Sequence, residues 1–474
     1  MCLKMFRKVS SVMHNSYSVT KVLHKHLKVL VIFCRSTNSV TTPGLILRNR
    51  NSSTEIGVQT DIKQNTATGS EHVVTNEVTS SVHSNINTSK KKYSKDVLEY
   101  LNSKDYLKPV LCSFPQKLLK RRKVAPDALY TVDRDVAKNL VDQIAQDIVK
   151  GGAPVFEVNP GLGFISRGLL AAGIQRLWLC ESAVSFAQQM KELQNEFPER
   201  VKVLNKDLFM LAKLAYQDNM DGGSRVQSLF HGVPKAEWED DPVMKIIGVL
   251  PSLSFIKHVI QSHVFQTGII AYGRPEFYFI MSPAQYFYLT CRPGDGYFFY
   301  RSTSILFQLI FEWNLLEKLP RTGFLPWEAK HSIKKWSKLV KVQTIDPDFM
   351  YLVKIVPRRD FFRTVVSADQ LQPLWFFVRH HLRSRKNRVI PQLEKWIPGC
   401  GPRIIMDGMT IFTEFGDLTP QEILSVFQKF VSWPEYPECP FLASMETTFM
   451  KMESATYNIE KDSDDEIEEV DEQS

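Results

Sequence analysis

The stretch VFEVNPGLGFISRGLL, residues 155–170, constrains this chain more than any other. An apolar β-type run carrying Glu157 enters a turn with Gly161 and Gly163, then leaves on a helix-type run that closes at Gly173. Strand, glycine turn and helix make the first half of a β-α-β unit, and such units stack into a parallel sheet covered by helices on both faces. The alternation continues from 95 to about 357. Ahead of the turn, Val136, Leu140, Ile144 and Ile148 fall four apart, on one face of a predicted helix that stops at Gly151. After it, RLWLCE ends at Glu181 and VKVLNKD at Asp207, while KIIGVL (245–250), EFYFIMS and MYLVKIV supply further strands. Residues 212–242 are polar and glycine-containing and read as an irregular insertion.

In open sheets of this kind ligands sit beyond the carboxyl ends of the strands, at the switch in strand order. Glu157, the turn 159–163, Glu181 and Asp207 all fall there. A phosphate-binding P-loop needs Lys followed by Ser or Thr after its second glycine, and this turn continues Phe-Ile-Ser-Arg. A dinucleotide fingerprint needs Gly or Ala three residues after Gly163, where Ser166 stands, so a nicotinamide enzyme fits poorly. A nucleoside without pyrophosphate fits better. Gly161 and Gly163 let the main chain approach it, Glu181 accepts from ribose hydroxyls, and Asp207 accepts from an adenine amino group. S-adenosylmethionine is such a molecule. A plain tight β-α turn that binds nothing is the competing reading.

Charge is distributed unevenly. With the +9 of the first fifty residues and the −8 of the last fifteen set aside, the +8 of the whole chain becomes +7 for 51–459. The body is therefore basic in its own right and suits a polyanionic partner. Residues 1–50 hold no Asp or Glu, and their basic, serine-containing start has the composition of a mitochondrial presequence. The apolar run VLVIFC within it is too short to span a bilayer, which takes about 20 residues. Residues 51–94 are rich in Ser, Thr and Asn and read as a disordered linker; 446–474 read as a solvated acidic tail. Seven scattered cysteines form no CxxC pair and no metal-ligand spacing, which argues for a reducing compartment and against a zinc site.

In chain order, VFEVNPGLGFISRGLLAAG, LWLCESAVSF, VLNKDLFML, IIGVLPS and YGRPEFYFIMS resemble the ribosomal-RNA adenine N6-dimethyltransferases. The likeness is strongest to the second mitochondrial, transcription-factor-B-type branch of that family. It covers about 125–430 and implies a Rossmann-like S-adenosylmethionine-dependent methyltransferase sheet (95–357) followed by a smaller helical domain (358–445). By position the family's cofactor contacts fall on Thr131, Asn159, Glu181 and Asp207, with Gly161 and Gly163 in the turn. Asn159 stands where the family has its first glycine.

The fourth strand departs from the family. Active members end it with Asn, an apolar residue, Pro and an aromatic: amide and proline oxygens accept from the target amino group, and the ring stacks on the flipped-out adenine. This chain reads Val249, Leu250, Pro251, Ser252. Valine accepts no hydrogen bond and serine offers no stacking face, a contact worth about 1–3 kcal/mol per base. The expectation is weak or lost methyl transfer on a retained fold.

Three basic runs then need a purpose. KLLKRRK contributes Lys120, Arg121, Arg122 and Lys123; KHSIKKWSKLVK (330–341) lies in the connector; RHHLRSRKNR contributes Arg379, Arg383, Arg385, Lys386 and Arg388 on a predicted helix. His380 and His381 there read as solvent-facing, and the aromatic-rich runs around 277–313 mostly as core. The resemblance implies a monomeric, membrane-free initiation factor in the mitochondrial matrix, associated with the nucleoid. Its partners would be the mitochondrial RNA polymerase and promoter DNA, above all the separated strand. The alternatives are an active small-subunit rRNA dimethyltransferase, with rRNA as the partner, and an interaction module whose turn holds no cofactor.

Overall fold

The structure, a computed structural model, describes residues 93–122, 126–295, 299–328 and 346–454. The targeting segment, nearly all of the linker, Lys123, the 330–341 basic run and the chain beyond Ser454 lie outside the described residues.

Seven strands form the central sheet: β2 (Val155–Val158), β3 (Leu177–Cys180), β4 (Val201–Leu204), β5 (Met244–Val249), β6 (Pro275–Met281), β7 (Phe311–Pro320) and β9 (Phe349–Pro357). Their order is β4-β3-β2-β5-β6-β9-β7. The first five are parallel, whereas β9 runs antiparallel to both β6 and β7. The expected α/β sheet is present, but β7 was not foreseen. It lies at a sheet edge, where only Phe311 and Leu319 are buried and the residues between them are exposed or half-buried, so no continuous apolar run marks it. A separate two-stranded ribbon pairs β1 (Tyr130–Thr131) with β8 (Phe324–Leu325).

Strand alternation sorts side chains onto two buried faces. Val155, Leu177, Leu179, Ile247 and Val249 meet Leu140, Ile144, Leu169 and Met190 of α2 (Arg134–Val149), α3 (Phe164–Ala171) and α4 (Ala187–Glu196). The α2 face is the predicted one, and Asp133 caps it by accepting from the Asp135 N–H at 2.9 Å. On the other face, Phe156, Trp178, Ile246, Phe277 and Phe279 continue into one core with α7 (Ser254–Phe265) and α9 (Ser302–Ile310). That core also takes in α11 (Leu371–His381), α14 (Pro420–Ser432) and α15 (Pro440–Ser454). A third cluster, with Val97 and Leu101 of α1 (Lys95–Asn102), Phe114, Leu118, Tyr130, Leu162 and Phe186, closes over the glycine turn.

Three expectations change. The segment 212–242 is not wholly irregular, because α5 (Leu211–Asp221) and α6 (Arg225–Leu229) occupy its first part. Leu211 and Leu214 anchor α5, and Gly222 ends it in the left-handed region. The helix expected through 379–388 ends at His381, and residues 382–386 form turns. Helix α15 runs to Ser454, so residues 446–454 are helical rather than tail. Among the described residues no helix is long and apolar enough to cross a membrane.

At the opposite end of the strands from the turn lies a buried charge cluster. Lys245 is 3.8 Å from Glu276 and donates to the Asp147 and Lys150 carbonyls; Lys354 bridges Glu276 at 2.7 Å and Asp147 at 2.6 Å.

Candidate cofactor and nucleic-acid site

The residues singled out around the turn converge at the carboxyl ends of β2, β3 and β4. Glu157 is buried beneath the turn and accepts from Ser166 Oγ at 2.6 Å. Burial pushes its carboxyl up to about 8. Ser166, which breaks the dinucleotide pattern, is thus the partner that a buried Glu157 requires.

Gly161 and Gly163 have φ of 57° and 72°, in the left-handed region. A Cβ on Gly161 would lie 2.7 Å from the Tyr130 ring, and one on Gly163 would lie 2.6 Å from Leu193 Cδ1. Both positions therefore demand glycine. Asn159 adopts φ 55°, which asparagine tolerates better than most residues. Its side chain is 4% exposed and neither amide atom meets hydrogen-bond geometry with a partner. It nevertheless approaches Asp207 closely enough to favour that carboxyl's charged form.

Glu181 organises the centre. Its Oε2 accepts from the Gly161 N–H at 3.1 Å, and its Oε1 accepts from the Ala183 N–H at 2.8 Å and from Tyr130 Oη at 3.4 Å. Burial outweighs these donors and pushes its carboxyl up to about 7. Asp207 accepts from the Phe209 N–H at 2.9 Å and is likewise pushed up by burial, to about 6. Thr131 is buried in β1, paired with Phe324; it is the neighbouring Tyr130 whose hydroxyl reaches Glu181. Sequence reasoning singled out Thr131 and not Tyr130, whose aromatic ring with a polar tip was the available signal.

A cleft of about 540 Å³ opens beside these groups, lined by Tyr130, Ser182, Val184, Lys206, Asp207 and Met210, with Lys117 and Arg122 at its rim. An acidic acceptor at each of two strand ends, a buried amide beside Asp207 and a cleft that Tyr130 and Asp207 line form a set that fits S-adenosylmethionine. Glu181 would take the ribose hydroxyls and Asp207 the base, with the Asn159 amide beside Asp207.

The strand tip is built differently. Val249 is 3% exposed and packs with Ile247 on the α2–α4 face, and the Leu250 N–H donates to the Ile280 carbonyl at 2.8 Å. Pro251 is half-buried. The Ser252 hydroxyl is engaged at the start of α7, 3.0 Å from Ser254 Oγ. The Val249 side chain offers no hydrogen-bond acceptor, and the Ser252 side chain, whose hydroxyl donates to Ser254, offers no ring.

The basic residues separate by role. Arg121 is structural: it pairs with Asp96 at 2.5 Å, donates to the Glu328 carbonyl at 2.6 Å and lies over Trp327. Lys120 and Arg122 are half-buried. Arg379, Arg383, Lys386 and Arg388 are exposed, but Arg385 is buried and donates to the Gly416 carbonyl at 2.8 Å. His381, expected to face solvent, is buried, stacked on Phe415 with ring centres 4.6 Å apart; His380 is half-buried beside Trp396. The helix ends just after this pair, so the arginines that follow do not share its face.

The sequence profile of the family described as ribosomal RNA adenine dimethylase matches residues 127–398. A Drosophila melanogaster protein named dimethyladenosine transferase 2, mitochondrial, is 39% identical over 395 residues, covering 75% of this chain and 87% of the relative. The Homo sapiens protein of the same name is 22% identical over 312 residues, covering 63% and 76%. Among solved structures, the 23S rRNA methyltransferase ErmE aligns with 64% of this chain and 99% of its own, at 16% identity and a TM-score of 0.40.

Proposed function

This chain belongs to the ribosomal RNA adenine dimethylase family, and from that premise we propose that it is a mitochondrial member turned from methyl transfer to transcription initiation. It joins the organelle's single-subunit RNA polymerase in the matrix, helps to open promoter DNA and holds the separated strand. Relatives named mitochondrial and the basic, acid-free residues 1–50 support the compartment. The basic body supports a nucleic-acid partner.

One observation carries the reading: Val249 and Ser252 at the tip of β5. Alkylating an adenine amino group requires an acceptor to orient the N–H and a ring to hold the flipped base. Val249 is committed to the core, and the Ser252 hydroxyl to the start of α7. S-adenosylmethionine is the cofactor of this fold and supplies an electrophilic methyl group when bound. The chain's own residues hold and orient it through Glu181, Asp207, Asn159 and the main chain of the glycine turn.

Two assays test the proposal. Run-off transcription with the mitochondrial polymerase on a linear promoter should rise with this protein on duplex template and gain little on pre-melted template. Labelled S-adenosylmethionine with the small-subunit rRNA hairpin should give little dimethyladenosine. Absence of stimulation on either template removes the initiation role. Rapid dimethylation restores the second reading, an active rRNA dimethyltransferase, for which the turn and both acids would supply the cofactor site.

A further inference from the structure

Ten large apolar side chains are exposed among the described residues, and four of them fall within eight residues: Ile405 (51%), Met406 (88%), Ile411 (54%) and Phe412 (66%). They lie at the end of α13 (Gly401–Met406) and in the loop that follows. This loop is fixed internally, because the Phe412 N–H donates to Thr410 Oγ1 at 3.2 Å and the Thr410 N–H to Thr413 Oγ1 at 3.0 Å. It is also laced to the basic turn. The Val389 N–H donates to the Thr413 carbonyl at 3.0 Å, Phe415 N–H to Asn387 at 2.9 Å and Gly416 N–H to Arg385 at 3.0 Å. The buried Arg385 guanidinium bonds the Gly416 carbonyl from the same turn. An exposed apolar ledge and a basic turn are therefore one rigid feature.

Among the described residues its cations make no ion pair, although Glu414 lies opposite Arg388 across an antiparallel bridge. Arg383, Lys386 and Arg388 are exposed, and the Arg388 guanidinium lies over the Phe412 ring at 5.3 Å. Apolar area alone would suit a protein partner. Three exposed cations outside any ion pair beside it, against the single carboxylate of Glu414 and on a body of net +7, select a polyanion. A duplex presents phosphates but keeps its base faces stacked, whereas an unpaired strand presents both.

We infer that the 405–412 ledge with Arg383, Lys386 and Arg388 is a binding site for single-stranded nucleic acid, in which a base stacks on Phe412 and flanking phosphates meet the three cations. The inference rests on the nucleic-acid role proposed above and assigns it a surface remote in sequence from the glycine turn.

The test uses the full chain and a fluorescent oligothymidylate of about 20 nucleotides, alone and annealed to its complement, read by anisotropy across a salt series. Phe412→Ala should weaken single-strand binding about tenfold and duplex binding less than about twofold, while Phe412→Trp should preserve both. Lys386→Ala should weaken both forms and lower the salt slope by about one. Because Phe412 is exposed, its replacement should leave thermal unfolding unchanged. Unaltered single-strand affinity in Phe412→Ala, or equal weakening of both forms, overturns the inference. So does loss of polymerase capture or of anionic-vesicle binding with oligothymidylate affinity intact. If the variant fails any of these ways and the wild-type chain still stimulates run-off transcription, the proposed function stands without this site.

Discussion

The strongest test of the cofactor site is the pH dependence of ligand binding, because three buried carboxyls fix its sign. Burial pushes Glu157 up to about 8, Glu181 to about 7 and Asp207 to about 6. Each holds its proton to a higher pH in the folded chain than in the unfolded one. The stability this contributes is complete below the ordinary carboxyl range near 4 and is lost as pH rises through those values. Ligand binding has the opposite slope. Ribose hydroxyls donate to Glu181, so they favour its ionised form, and a ligand that binds only that form is weakened by the fraction of protein still protonated. For a carboxyl at about 7, that fraction leaves about one molecule in eleven competent at pH 6 and about ten in eleven at pH 8, a change of about tenfold. Isothermal titration with S-adenosylhomocysteine at pH 6 and 8 should therefore show about tenfold tighter binding at the higher pH. The Glu181→Gln variant, whose amide does not titrate, should bind weakly at both and lose that ratio, keeping only the change of about twofold that Asp207, at about 6, contributes. Ionisation of the ligand is common to both proteins and cancels in the comparison. Wild-type affinity that is flat from pH 6 to 8, or a slope equal to that of Glu181→Gln, refutes Glu181 as the ribose acceptor.

Three further outcomes follow from the same geometry. Val249→Asn with Ser252→Phe restores an acceptor and a ring worth together about 2–6 kcal/mol, so dimethyladenosine formation on the rRNA hairpin should rise at least about thirtyfold; no rise would mean that methyl transfer is limited elsewhere. Gly163→Ala forces a left-handed φ on a side chain that meets Leu193, and denaturant titration should show a loss of about 2 kcal/mol. Glu276→Gln removes the carboxylate facing buried Lys245, while Lys354 keeps Asp147; the expected cost is about 3 kcal/mol, and an unchanged unfolding midpoint would show that the carbonyls of Asp147 and Lys150 suffice for Lys245.

Much of this architecture was legible in the residues. Six of the seven sheet strands were marked by apolar runs with acids or turns at their ends, and α2 by its four-residue spacing. The missed elements share a cause: their signal lies in partners rather than in period. Strand β7 is amphipathic, on an edge, and gains its identity from pairing with β9. Helix α5 has only Leu211 and Leu214 buried, too few to stand out from a polar stretch. Arg385 and His381 fall in a run that reads as one basic helix, yet the helix stops at His381, and both side chains turn inward against Gly416 and Phe415. Tyr130 was hidden because only the β1–β8 pairing fixes which of Tyr130 and Thr131 faces the acid.

The two halves of the site carry unequal weight as signs of chemistry. Gly161, Glu181 and Ser166 each have a structural duty independent of any ligand. The Gly161 and Ala183 N–H groups need Glu181, the Tyr130 ring needs the bare Cα of Gly161, and Glu157 needs the Ser166 hydroxyl. Changing any of them would leave buried polar groups unsatisfied or drive a side chain into the core, so folding alone is sufficient to retain them. The tip of β5 carries no such restraint. Valine at 249 packs well among Ile247 and the helices of that face, where an amide would have to find a partner, and serine at 252 engages the start of α7. Under the loss of methyl transfer proposed above, relief from catalysis would thus change the strand tip first and the turn last. A retained turn is consistent with either presence or absence of methyl transfer, and the discriminating residues are Val249 and Ser252.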